Sequence, residues 1–232
     1  AGTVQWTRTY GNTTASSDRA LGLVVDNAGG YIYMTGYTLS VENYDYLTVK
    51  YRNNGAFKWA KTYNRESDSD DRALGIVVDI HGNIIVTGSS QGSTSSYDYF
   101  TIKYDSDGGV SWTRRYNGAN NGEVRAHGIV VDTDDNYTVT GYSMNNSSED
   151  SKDIVTIQYD KIGALRWTKV YNGPDNLSDD AFGIIVDESK NVYISGSTSR
   201  NQTSEDFLTL KYSSTGIEKW ASIYNSNERT SD

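Results

Sequence analysis

Apolar positions in this chain fall in short runs separated by Gly, Asn, Asp and Ser, and four kinds of run recur in a fixed order. The first, at residues 20–26, 73–79, 126–132 and 181–187, reads Ala-x-Gly followed by four residues ending in Asp. Such short apolar stretches suit a strand covered on both faces. The second, at 31–37, 84–89, 137–142 and 192–197, contains a Thr-Gly or Ser-Gly pair. The third begins at Asp45, Asp98, Asp153 and Asp206, with Thr always at its fourth place. The fourth carries Trp6, Trp59, Trp112, Trp167 or Trp220, each with a Tyr four residues on, and these Trp are spaced by 53, 53, 55 and 53 residues. On a strand, residues four apart share a face, so each Trp and its Tyr point the same way.

Short turns rich in Gly, Asn and Asp, such as 79–83 and 105–109, join the first run to the second and the third to the fourth, as tight hairpins require. Four strands in a meander, repeated at a fixed period, make a β-propeller blade. The expected fold is therefore all-β: a single propeller domain over 1–232 with antiparallel blades at 18–63, 71–116, 124–171 and 179–224. A surplus outer strand is expected at residues 4–10. The small Ala and Gly of the first run fit inner strands crowding toward an axis. The five Trp are expected to pack between neighbouring blades. Longer connections rich in Ser, Asn and Asp emerge together at one end and form the expected binding face. The surplus strand leaves three arrangements open: a four-bladed ring, a fragment of a larger ring, or a subunit pairing head to tail through its strand edges.

Composition narrows the function. A net charge of -9 and a pI near 4.7 exclude partners held through phosphate, nucleic acid among them. No apolar run approaches the roughly 18 residues that cross a bilayer, so membrane insertion is not expected. The absence of Cys removes disulfides and thiolate metal sites. Sequons begin at Asn12, Asn136, Asn145, Asn146, Asn176 and Asn201, which is compatible with a secreted glycoprotein.

The repeated text Asp-x-Ala-x-Gly-Ile-x-Val-Asp-x-x-Gly-Asn-x-x-x-Thr-Gly, followed after a loop by Asp-x-x-Thr-x-Lys-Tyr-x-x-x-Gly-x-x-x-Trp, resembles the SBBP β-propeller repeat of bacterial and archaeal extracellular and cell-surface proteins. The resemblance spans residues 4–225. Asp71 to Gly88 matches closely, whereas the third copy has Val124 for the leading Asp and Asp135-Asn136 for Gly82-Asn83. It implies a seven-bladed ring, an extracellular or cell-surface setting and adhesion or scaffolding, with no catalytic residues to carry over.

Several short matches are weighed against that frame. Gly88 to Gly92 fits the G-x-S-x-G pattern, but no strand-to-helix elbow is expected there. His81 and His127 occupy unlike positions, a hairpin turn and an inner strand, and do not form a zinc pair; His127 stands where other copies have Leu21, Leu74 and Phe182. Asp105 with Asp107, and Asp132 with Asp134 and Asn136, are fragments of calcium loops that lack the completing Glu, so turn chemistry accounts for them. Asp18, Asp71 and Asp179, just before the inner strands, are candidates either to hold a cation, calcium being the one to consider, or to cap backbone amides. The stretch from Asp105 to Trp112 approaches the sialidase Asp-box and the tryptophan-docking repeat, both of them structural. The leading expectation is a non-enzymatic scaffold or binding module without cofactor. Its loop face would contact protein or glycan, with self-assembly into a homo-oligomer or head-to-tail polymer as one form. The alternative is a hydrolase acting on polysaccharide through loop carboxylates.

Overall fold

A computed structural model of the chain describes residues 2–11, 17–40, 43–65, 69–92, 96–118, 121–144, 152–200 and 203–224. Each expected run except that at residues 4–10 is a strand, and the strands form four separate four-stranded antiparallel sheets in chain order. Blade 1 comprises β1 (Arg19–Asp26), β2 (Tyr31–Leu39), β3 (Tyr44–Arg52) and β4 (Phe57–Tyr63). Blade 2 comprises β5 (Asp71–Val78), β6 (Ile84–Gln91), β7 (Tyr97–Tyr104) and β8 (Val110–Tyr116). Blade 3 comprises β9 (Val124–Val131), β10 (Tyr137–Met144), β11 (Lys152–Tyr159) and β12 (Leu165–Tyr171). Blade 4 comprises β13 (Asp179–Val186), β14 (Val192–Arg200), β15 (Thr203–Tyr212) and β16 (Glu218–Tyr224). Two compact units result, residues 1–116 with blades 1 and 2 and residues 117–232 with blades 3 and 4.

Within each unit the inner strand of the second blade lies across the sheet of the first, β5 over β1 to β3 and β13 over β9 to β11. The core between blades 1 and 2 joins Tyr33 and Tyr46 to Ala73, Ile76, Ile84 and Phe100. That between blades 3 and 4 joins Ile154, Trp167 and Tyr171 to Ala181, Ile194 and Leu208. In blades 1 to 3 the Thr fixed at the fourth place of the third strand has a partner: Thr48 meets Thr35 at 3.2 Å, Thr101 meets Thr87 at 3.0 Å, and Thr156 meets Thr140 at 3.1 Å. Buried hydroxyls paired across strands leave no unsatisfied donor.

The Ala-x-Gly motif is a β-bulge, not simply an accommodation to crowding. In all four blades the register of the two inner strands slips at this motif, leaving Leu21, Leu74, His127 and Phe182 without a partner across the ladder. The bulge also dictates the Gly of the following Thr-Gly or Ser-Gly pair. A Cβ at Gly36, Gly88, Gly141 or Gly196 would collide with the carbonyl of Arg19, Arg72, Arg125 or Asp180 opposite.

Trp59 and Trp167 each pack onto the outer hairpin of the next blade. Trp59 Nε1 donates to the Ser106 carbonyl and Trp167 Nε1 to that of Ser214, both at 3.3 Å. Trp112 is also buried. The expected outer strand at residues 4–10 is corrected: these residues form no strand, and among the described residues no strand pairs with them. Trp6 nevertheless makes the same contact, its Nε1 donating to the Asn53 carbonyl at 2.8 Å and its ring lying over Gly55.

Candidate functional site

The bulge in blade 3 turns His127 toward the start of β13. There its Nδ1 lies 2.8 Å from the Ala181 carbonyl and 3.3 Å from Asp180 Oδ1. A carbonyl can only accept, so neutral His127 carries its proton on Nδ1 and keeps a lone pair on Nε2. Burial disfavours the imidazolium. The adjacent Asp180 carboxylate, aided by the Ala181 carbonyl and opposed by Arg125, outweighs this and raises the His127 pKa above its ordinary value.

Four more polar side chains gather here. Tyr142, on β10, stands edge-on to the His127 ring at 5.5 Å and donates its hydroxyl to Glu123 Oε1 at 2.9 Å. Arg125 Nε binds the same Glu123 oxygen at 2.6 Å. Lys152, at the start of β11, places Nζ 4.6 Å from the centre of the Tyr142 ring and 3.9 Å from Asp180 Oδ2. Burial first, then Glu123 and Asp180, push the Tyr142 pKa far up against Arg125, so its phenol stays protonated. The group sits where β9, β11 and β13 begin and β10 ends, which is the end carrying the long connections expected as a binding face.

Of this cluster the sequence singled out His127 alone, as an inner-strand residue standing where the other copies have Leu21, Leu74 and Phe182. Glu123, Arg125, Tyr142, Lys152 and Asp180 were missed. A signal was present in departures from the repeat: His127 replaces Leu, Lys152 stands where Tyr44 and Tyr97 stand, and Asp180 replaces the Arg19, Arg72 and Arg125 of the other copies.

The other candidates have structural partners. Asp71 Oδ2 accepts the Arg65 amide at 2.9 Å and Asp179 Oδ2 the Gly173 amide at 2.6 Å. Each thereby pins the connection that enters its blade. Burial raises the pKa of both. Asp18 Oδ1 accepts the Thr38 hydroxyl. Among the described residues no three His, Asp or Glu side chains are grouped so as to hold a metal ion. Asp105 and Asp132 bind amides of their own turns, Asp105 those of Asp107 and Gly109, and Asp132 those of Asp134 and Asn136. Asn136 is buried with its side-chain amide on Asp132, so it is not presented as a glycan acceptor, whereas Asn176 is exposed. Asn12, Asn145, Asn146 and Asn201 lie outside the described residues. His81 sits in the Asp79 turn, and Ser90 of the G-x-S-x-G match is buried on strand β6 beside Arg115. Among the described residues no helix is long and apolar enough to cross a membrane.

No protein-family model matches the chain, and no curated protein matches it. Among solved structures, a PL25 ulvan lyase bound to -[GlcA(1-4)Rha3S]- is similar with a TM-score of 0.58 and 11% identity, over 90% of this chain and 56% of that one. A mutant Bombyx mori GH32 β-fructofuranosidase in complex with sucrose gives a TM-score of 0.42 and 11% identity, over 88% of this chain and 50% of that one. The chain thus spans about half the length of these structures. The lyase likeness shows the all-β, propeller-type fold. It also corrects the expectation of a module without enzyme activity. That expectation rested on the resemblance to the SBBP repeat, which offers no catalytic residues to carry over, whereas a similar fold is found in a polysaccharide lyase.

Proposed function

We propose that the chain is the propeller part of an enzyme that cleaves polysaccharide, with the His127–Asp180 pair as its proton-transfer centre. The observation that carries this reading is the placement of His127 Nδ1 against the Ala181 carbonyl and Asp180, an arrangement that puts the ring proton on Nδ1 and leaves Nε2 as a base at the long-loop end. Arg125 and Lys152 supply positive charge beside it. This is a setting in which Nε2 takes the proton next to a uronate carboxylate, Arg125 and Lys152 hold the charge that develops, the C4–O bond breaks as the C4–C5 double bond forms, and the imidazolium returns its proton to the departing oxygen.

Hydrolysis would need one carboxyl group to protonate the leaving oxygen. Both local carboxylates act as charged partners instead, Glu123 accepting from Arg125 and Tyr142, and Asp180 pairing with His127 and Lys152. The arrangement therefore favours β-elimination over the hydrolase alternative. A polymeric substrate of this kind sets the protein outside the cell or at its surface.

The test is incubation with a panel of uronate-containing and neutral polysaccharides, following both new reducing ends and the ultraviolet absorbance of the unsaturated uronate that elimination creates. His127→Leu is the matching variant, because blades 1 and 2 already carry Leu at this position. It should fold as the parent does and lose turnover by about 10²–10⁴-fold. Reducing ends without the absorbance would replace elimination by hydrolysis. Turnover unaffected by His127→Leu would remove the centre from this site.

A further inference from the structure

Blade 4 carries a cleft of about 250 Å³ lined by Phe182, Gly196, Ser197, Glu205, Asp206 and Phe207. By position in the repeat, these residues match His127, Gly141, Tyr142, Lys152, Asp153 and Ile154 of blade 3. On blade 3 the same place is filled by the start of β13, with Ala181 against His127 and Asp180 facing Lys152. In the first unit blade 1 offers this place to the start of β5, where the Arg72 guanidinium lies 4.7 Å from the Tyr44 ring. On blade 4 it is a seat for an inner strand that the second unit does not supply.

The surroundings agree. Phe207 is 75% exposed, while its counterparts Tyr46 and Ile154 are 0% exposed under the blade that follows each of them. Trp220 is 41% exposed against 9% for Trp167. In the first unit, β1 presents the complementary surface. Leu23 is 64% exposed, whereas Ile76, at the same position in β5, is 8% exposed and packs against Gly22. Charge selects between occupants. The seat on blade 3 pairs Lys152 with Asp180, and on blade 4 the equivalent of Lys152 is the exposed Glu205. The strand that complements Glu205 needs a cation where Asp180 stands, and β1 has Arg19 there, also exposed.

We infer that blade 4 docks blade 1 of a second copy of this chain, with β1 seated in the cleft, Arg19 paired with Glu205 and Leu23 set against Gly183. The contact is head-to-tail, so it either closes on itself or propagates.

Light scattering on the full chain across a concentration series tests this with Glu205→Arg, Arg19→Glu and the double reversal. The parent should exceed the 25.7 kDa of a single chain, with a mass that rises with concentration. Each single reversal places like charges together and should weaken association by about tenfold or more, and the double reversal should recover it. Should a reversal lower the melting temperature, Phe207→Ser removes apolar area from the same face and must weaken association too. A single-chain mass at every concentration, association indifferent to these changes, or failure of the double reversal to recover it would each overturn the inference.

Discussion

Asp179 shows what one buried carboxylate does in this fold. Its Oδ2 holds the Gly173 amide, which fixes the connection into blade 4, and burial raises its pKa. A group whose folded pKa lies above its unfolded value favours folding when protonated. Its contribution is present below the unfolded value, 3.8 for this carboxyl, and is lost as pH rises through the folded value. Near neutral pH the buried charge is therefore a cost. Asp179→Asn keeps an oxygen for the Gly173 amide and removes that charge. Its melting temperature should exceed the parent's near pH 7, and the gap should close as the pH falls toward 4. A gap that widens on acidification would show that the native carboxylate is stabilising, contrary to the direction argued from its burial. His127 shifts in the same direction for a different reason: the Asp180 carboxylate outweighs its burial.

At the scale of the element, most of the fold was legible because the blade pattern is written four times and strand signals do not depend on distant partners. The bulge was harder to read. Ala-x-Gly identifies small residues, but that Gly36 and Gly88 stand opposite a backbone carbonyl emerges only from the register. The site was hardest, since Glu123 meets Tyr142, and Lys152 approaches Asp180, across strands and blades that no local pattern connects. The inner and outer hairpins of blade 2 make a sharper prediction. Gly108 has φ of +82°, and a Cβ there would meet Lys61 and lie 3.3 Å from the Trp59 ring; Gly82 has φ of +77° with nothing within 4 Å. Gly82→Ala should cost about 1 kcal/mol through backbone strain alone, and Gly108→Ala about 2–3 kcal/mol because Trp59 must also move. Chemical denaturation of the two variants measures the difference. Equal losses would mean that Trp59 contributes little to holding blade 1 on blade 2.

For the whole molecule, the decisive residue is Trp6. It occupies on blade 1 the place that Trp59 occupies on blade 2 and Trp167 on blade 4, donating to a hairpin carbonyl 47 residues further along the chain in each case. Arg8 adds a bond from Nε to the Gly55 carbonyl at 2.9 Å, and Tyr10 stacks on Phe57. Residues 4–10 thus do part of an outer strand's work without forming one, covering the outer part of blade 1 while Leu21, Leu23 and Val25 of β1 remain exposed. If blade 4 of a second copy docks on blade 1, its Trp220 competes with Trp6 for the Asn53 carbonyl. Trp6 holds the advantage of being tethered to the same chain. Trp6→Ala should then strengthen association by about tenfold, the opposite of what deleting an interfacial aromatic normally does. A series of masses against concentration for parent and variant decides it. Weaker association would place Trp6 within the contact between copies, and unchanged association would confine docking to the inner strand, with Trp220 taking no part.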